Sequence, residues 1–254
     1  MLELPPESIA LILVLLIAIF RAVGYLLDKN ARLVAAASIG NLSGALALIE
    51  RGADINHRDR KGRTAITEAV ARGHYEMVRA LLVRGASPNM TGRGGQTPLM
   101  LAVEAGRQEI ALELISLGAD VNRRDDSGVT ALFMAAEAGA GPVVAALVSK
   151  GADINAIESS GGWTPLIAAT QSGHESVVRL LADKGAKLNA RDNAGLTALS
   201  FTAADGNSDL ALTLIGKGAG VNVRSNDGKT PFTLAMEAGR KDAAEIIRQA
   251  GGAP

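Results

Sequence analysis

Cysteine is absent from this 254-residue chain, which excludes both a disulfide framework and a thiolate metal site. Histidine is scarce. His57, His74 and His174 are the only three, and they are spread too widely along the chain to suggest a shared metal or catalytic cluster. Aromatic residues make up 3% of the sequence, too few for a base-stacking platform. Charge of either sign is not in excess: 26 Lys and Arg balance 26 Asp and Glu, so strong electrostatic capture of nucleic acid is not expected. Gly228-Lys229-Thr230 ends like a phosphate loop, but that motif needs a glycine where the chain has Val223. Asn41-Leu42-Ser43 and Asn89-Met90-Thr91 fit the glycosylation triplet, a pattern that is common by chance and falls here on structural positions. No nucleophile–base pair stands out, so the sequence points away from an enzyme and calls for no cofactor.

What the chain has is a ruler. Thr64, Thr97, Thr130, Thr164, Thr197 and Thr230 recur 33, 33, 34, 33 and 33 residues apart. Gly-Ala pairs at Gly52, Gly85, Gly118, Gly151, Gly185 and Gly218 keep the same step, and Gly251 closes the series. A period this strict specifies a stacked solenoid, each unit burying its apolar face against the next. Threonine suits an N-cap, and Pro98, Pro165 and Pro231 then occupy the first helical position, where the missing N–H costs nothing. Ala102, Ala135 and Ala169 are small enough for close helix approach. Gly73, Gly106, Gly139, Gly173, Gly206 and Gly239 are placed to end the first helix in a left-handed cap. A second helix follows with an apolar face, as in Val78, Leu81 and Leu82 or Val177, Leu180 and Leu181, and an Asn at 56, 89, 122, 155, 189 and 222 leads onward.

Copies such as "GQTPLMLAVEAGRQEIALELISLGADVN" and "GWTPLIAATQSGHESVVRLLADKGAKLN" resemble the ankyrin repeat, and the resemblance runs over residues 31 to 254. It implies an all-α solenoid of helix-turn-helix pairs joined by β-turn fingers. The expected division is an N-terminal cap unit at 31–56 and six repeats at 57–254. His74 and His174 open "GHYE" and "GHES", where such units commonly carry a structural histidine. The chain departs from the family at the histidine that usually follows Thr-Pro-Leu: the slot holds Thr67, Met100, Phe133, Ile167, Ser200 and Thr233. Apolar packing is expected to replace the polar network there. One unit spends an extra residue in "AIESSGGW", before Thr164, in a loop of the kind that tolerates insertions.

Ile9 to Phe20 form an unbroken apolar run, resumed from Ala22 to Leu27 after Arg21. The stretch 9–27 approaches the about 20 residues that cross a hydrocarbon core, so residues 1–30 read as a tail and one transmembrane helix. Two other readings fit part of the pattern. A cleaved signal peptide would want a basic start, yet "MLELPPE" is acidic, and Ala35-Ala36-Ala37 lies far past the run. A soluble helix against the solenoid would accommodate Arg21, although that side chain is near enough to the end of the run to snorkel. Arg21, Lys29 and Arg32 follow the run and no Lys or Arg precedes it, so the positive-inside rule orients a single-pass protein with its repeats in the cytoplasm. Asp28, Lys29 and Asn30 alone then join anchor to solenoid, which restricts its angle to the bilayer. The first unit carries no charge from Leu33 to Ile49, unlike the last, with Arg240, Lys241, Asp242, Glu245 and Arg248. Its face should be covered by the membrane interface, another subunit's anchor or a folded-back N-terminal helix, unless its small residues are tolerated in water.

In the family, partner contacts fall on the finger before the threonine and near the end of the first helix. The resemblance carries these onto Arg63, Gln96, Val129, Trp163, Leu196 and Lys229, and onto Glu104, Glu137, Gln171 and Asp205. Val129, Trp163 and Leu196 form an apolar row within polar neighbours, as a hot spot requires. Trp163 has a second reading, packing on its neighbouring finger. Arg58, Arg124, Arg191 and Arg224 read as structural charge beside finger acids. The expected function is a membrane-anchored adaptor that captures another protein. The alternative is an accessory subunit of a membrane protein complex, with Arg21 pairing with an acid on a partner helix.

Overall fold

Every threonine of the ruler opens a helix, and it does so by capping it. In the computed structural model, the Thr64, Thr97, Thr130, Thr164, Thr197 and Thr230 hydroxyls each accept from the backbone N–H three residues on, at 3.2 or 3.3 Å. The structure describes residues 28–254 and, before them, Leu15 alone. The run 9–27, with Arg21 and every reading attached to it, therefore lies outside the described residues apart from Leu15. Among the described residues no helix is long and apolar enough to cross a membrane.

Among the described residues, seven helix pairs follow one another. The first members are α1 (Lys29–Ser38), α3 (Ala65–Arg72), α5 (Pro98–Glu104), α7 (Ala131–Glu137), α9 (Pro165–Gln171), α11 (Ala198–Asp205) and α13 (Pro231–Glu237). The second members are α2 (Leu42–Glu50), α4 (Tyr75–Val83), α6 (Gln108–Ser116), α8 (Gly141–Ser149), α10 (Glu175–Asp183), α12 (Ser208–Gly216) and α14 (Lys241–Gln249). First helices pack more extensively on neighbouring first helices than second helices do on theirs. Ala102, Ala135 and Ala169 are wholly buried at these contacts, so side-chain size sets the closer approach. Closer spacing on one side bends the stack toward it, and the fingers and first helices line the hollow. Leu99, Leu132, Leu166 and Leu199 form the core from one row, and Leu81, Leu114, Leu147 and Leu181 from the other. Leu82 and Leu180, expected in that face, are only partly buried.

The turn between the two helices needs glycine for two reasons, seen at Gly139. Its φ is +70°, and a Cβ there would meet the His174 ring at 2.6 Å. His174 lies across the turn to bring Nε2 within 2.9 Å of Glu137 O, and His74 repeats the contact to Ser38 O at 3.2 Å. Both histidines are thus inter-repeat clamps.

The slot three residues after each capping threonine corrects one expectation. Apolar packing replaces the family's polar network only at Met100, Phe133 and Ile167, which are buried. At the other three positions the network survives in a smaller form. Thr67 Oγ1 lies 3.1 Å from Thr64 Oγ1 and accepts from Thr64 N at 2.9 Å, and Ser200 does the same for Thr197 at 3.1 and 3.2 Å. Thr233 Oγ1 lies 2.9 Å from Thr230 Oγ1. At Thr67 and Ser200 the hydroxyl on a short side chain also closes a capping box, in the space an imidazole would fill.

The asparagines are stitches. Asn122 accepts from Asp153 N at 2.7 Å and donates to Gly151 O at 3.0 Å, in the next unit. Asn56, Asn89, Asn155, Asn189 and Asn222 accept from the matching N–H groups of Ser87, Asp120, Lys187, Gly220 and Ala253. At the first unit Asn30 takes the role from within α1, accepting from Asp54 N at 2.8 Å. Lys29 Nζ donates to Arg51 O at 3.2 Å beside it. Asp28 caps α1, accepting from Asn30 N and Ala31 N. Residues 28–30, expected as a bare junction, are therefore built into the solenoid. On the outer face of the first unit Ile39 is 74% exposed, at a hollow lined also by Ala35, Ala47 and Leu48, between Arg32 and Arg51.

Candidate protein-interaction surface

Four of the six described fingers are tight loops wound around one carboxylate; Gly92 and Ser225 hold that position in the second and the last. Asp125 Oδ1 accepts from Ser127 N and Val129 N, both at 2.9 Å, and Asp59 and Asp192 organise their fingers the same way. The longer finger uses a longer acid. Glu158 accepts from Ser160 N, Ser160 Oγ and Gly161 N at 2.6 Å and from Trp163 N at 3.1 Å. One extra residue in the loop is matched by one extra methylene in the side chain. Burial pushes the Glu158 carboxyl up, but the Ser160 hydroxyl and the N–H groups of Trp163, Ser160 and Gly161 outweigh it and hold the pKa at about 2. Asp59 is also held below its ordinary value, burial being overcome by Arg63 and Lys61 N.

Successive fingers are tied tip to tip. Backbone bonds from Asp126 N to Gly94 O, Ser159 N to Ser127 O, Asn193 N to Gly161 O and Asn226 N to Ala194 O make four of the junctions. At the first junction a side chain makes the link instead, Arg93 Nε donating to Lys61 O at 3.1 Å. The basic column is structural, as expected. Arg124 spans Gly128 O and Ile157 O, Arg191 spans Gly195 O and Asn226 Oδ1, and Arg224 reaches Gly228 O and Pro254 O. Arg58 reaches Thr91 Oγ1.

On this frame the finger row lies half-buried along the hollow: Arg63, Gln96, Val129, Trp163, Leu196 and Lys229. Glu104, Glu137, Gln171 and Asp205 are exposed at the helix ends behind it. The structure pairs the two rows at two polar finger residues, Gln96 and Lys229. Gln96 Nε2 donates to Glu104 Oε2 at 2.9 Å, and Lys229 binds Glu237, which raises the lysine's pKa. In the middle the finger residues are apolar, and among the described residues Glu137, Gln171 and Asp205 have no side-chain partner. Glu104 and Glu137 share a small hollow with Val103, Met134 and Ala138.

Trp163 does more than project. Its ring meets Phe201 of the next unit edge-on, centroids 5.6 Å apart at 69°. Gly161 gives the indole its room, because a Cβ there would lie 3.1 Å from Trp163 Cδ1 and from Glu158 Oε1. Phe201 and Met134 belong to this surface and the sequence reading missed them. Both stand four residues after a capping threonine, on the turn of the first helix that faces the hollow, and that column was the available signal.

The family profile described as "Ankyrin repeats (3 copies)" matches residues 33–125 and 117–192. Among solved structures, the ankyrin repeat domain of Bcl-3, a member of the IkappaB protein family, is similar with 30% identity and a TM-score of 0.77, covering 85% of this chain and 97% of its own. The human ASB11 ankyrin repeat domain is similar with 25% identity and a TM-score of 0.73, covering 87% of this chain and 98% of its own. No curated protein matches the chain.

Proposed function

The chain belongs to the ankyrin-repeat family, and from that premise we propose that it is a non-enzymatic adaptor that captures another protein in the hollow of its stack. One observation carries the reading: Val129, Trp163 and Leu196 stand half-buried on three consecutive fingers, beside polar helix ends left unpaired. A partner's apolar side chains would seat on the row, and its N–H or basic groups would reach Glu137, Gln171 and Asp205. The surface is held rigid by carboxylate-centred fingers and asparagine stitches, so little ordering cost opposes binding.

The second half of the proposal is a bilayer anchor. Its support is the sequence alone: the apolar run 9–27, with basic residues after it and none before. The repeats then face the cytoplasm. Arg21 sits near enough to the end of that run to reach the interface, or to meet an acid on a partner helix.

The test of capture compares wild type with Val129→Glu/Leu196→Glu, which leaves Trp163 on Phe201 and adds charge at half-buried positions. Partner recovery in affinity purification should fall at least tenfold with circular dichroism unchanged. Equal recovery would remove this surface as the binding site. Trp163→Ala is the companion variant, in which a fall in recovery larger than the fall in stability separates recognition from packing.

A further inference from the structure

The charge on this chain balances only as a total. Residues 28–97 carry eleven Lys and Arg against six Asp and Glu, whereas residues 98–254 carry fourteen against eighteen. The first unit, residues 28–56, is balanced at three of each sign, so the basic excess lies on residues 57–97, which hold the first two fingers and carry eight Lys and Arg against three Asp and Glu. Those two fingers are also the pair joined by the Arg93 side chain rather than by a backbone bond. Between them runs a groove of about 440 Å³, lined by Lys61, Arg63, Thr67, Glu68, Arg93 and Gln96 among others.

The groove's acids are already engaged. Arg63 pairs with Asp59 at 2.7 Å and Glu68 at 3.6 Å, and Glu104 accepts from Gln96. Its cations are not balanced in the same way. Lys61 makes no ion pair among the described residues, nor do Arg60 and Arg72 beside it, and Arg93 contacts a neutral carbonyl. A concave site with a surplus of positive charge focuses its field on whatever enters.

We propose that this groove takes an acidic stretch of the captured protein, Asp or Glu side chains meeting Lys61 and Arg93, while an apolar residue of the same stretch seats at Trp163. The inference rests on the reading of the finger row as a binding surface and adds the partner's chemistry. Units about 10 Å apart place the groove about 25 Å from Trp163. An extended chain covers that distance in about seven or eight residues, which sets the spacing between acid and anchor. An anionic bilayer is the other surface of matching charge, but it is flat and cannot follow a groove between two fingers.

The experiment is selection from a displayed library of random peptides of about sixteen residues, long enough to span about 50 Å extended, on the full-length chain held in mild detergent. Enriched peptides should pair an acidic cluster with an aromatic or aliphatic residue about seven or eight positions away. Their affinity should drop at least tenfold on Lys61→Glu/Arg93→Glu, a pair of exposed positions whose replacement circular dichroism should show to be folded. Trp163→Ala should weaken the same peptides yet leave the preference for acid in a repeated selection. Enrichment of neutral or basic peptides that still depend on Trp163 would overturn this inference and leave the finger-row reading standing. Absence of any enriched peptide would overturn both. Binding to phosphatidylserine vesicles that is lost in the double variant, with no acidic peptide enriched, would overturn it in favour of lipid.

Discussion

At the residue scale the structure turns on a few polar side chains that each satisfy several backbone groups. Glu158 is the clearest. Its pKa is held at about 2 against an ordinary 4.5, so its contribution to stability is complete above 4.5 and falls away as the pH drops toward 2. Glu158→Gln should therefore lower the melting temperature near neutrality, and the gap from wild type should close as a titration runs down through that window. A gap that persists unchanged at the acid end would show that the charge is not what holds the loop. Asn122→Ala removes both stitches to the next unit and should cost about 1–2 kcal/mol in denaturant unfolding. Such roles were only half legible in the sequence. The recurrence of Asn and of the finger acids was plain, but a hydrogen bond from residue 122 to residue 153 depends on units being stacked, which no local pattern encodes. The inserted residue was visible, whereas the lengthened acid that accommodates it was not singled out.

At the scale of helix and finger, most of the architecture was open to reading. Capping threonines, first-turn prolines and the turn glycines each carry a local physical cause, and local causes are what a sequence displays. The exception is the slot after the cap. Apolar replacement of the missing histidine was expected throughout, yet Thr67, Ser200 and Thr233 keep a hydroxyl network. The two chemistries should respond differently to substitution. Ser200→Val removes Oγ from a buried box and should destabilise by about 1–2 kcal/mol, whereas Ile167→Val trims one methylene and should cost about 1 kcal/mol. Finger design makes a further prediction. Glu158→Asp alone should leave some loop N–H groups without an acceptor and lower the melting temperature. The same change combined with deletion of Ser160 should recover much of the loss, because it restores the loop length that Asp59, Asp125 and Asp192 serve. Failure of the shortened loop to recover anything would mean that length and acid are not matched.

At the scale of the molecule, two features of the binding surface escaped the sequence reading for different reasons. The charge asymmetry was hidden by a net charge of zero, since summation over the chain discards position. The contact of Trp163 with Phe201 joins two repeats and two different columns, one on the fingers and one on the helices, so no single column of the repeat displays it. Val129, Trp163 and Leu196 were legible as a row, and the structure leaves all three half-buried on consecutive fingers. For the anchor, removal of residues 1–27 should move the protein from a carbonate-resistant membrane pellet to the supernatant; full-length protein already in the supernatant would contradict that half of the proposal. The central claim, capture in the hollow, is tested most directly by photo-crosslinking in intact cells. A benzophenone amino acid is placed at position 129 on the finger row and, separately, at position 212 on the outer helices, where Leu212 is 54% exposed. A discrete adduct from position 129 and none from position 212 is the result expected; adducts from position 212 with position 129 silent would place the partner on the opposite face and contradict the account.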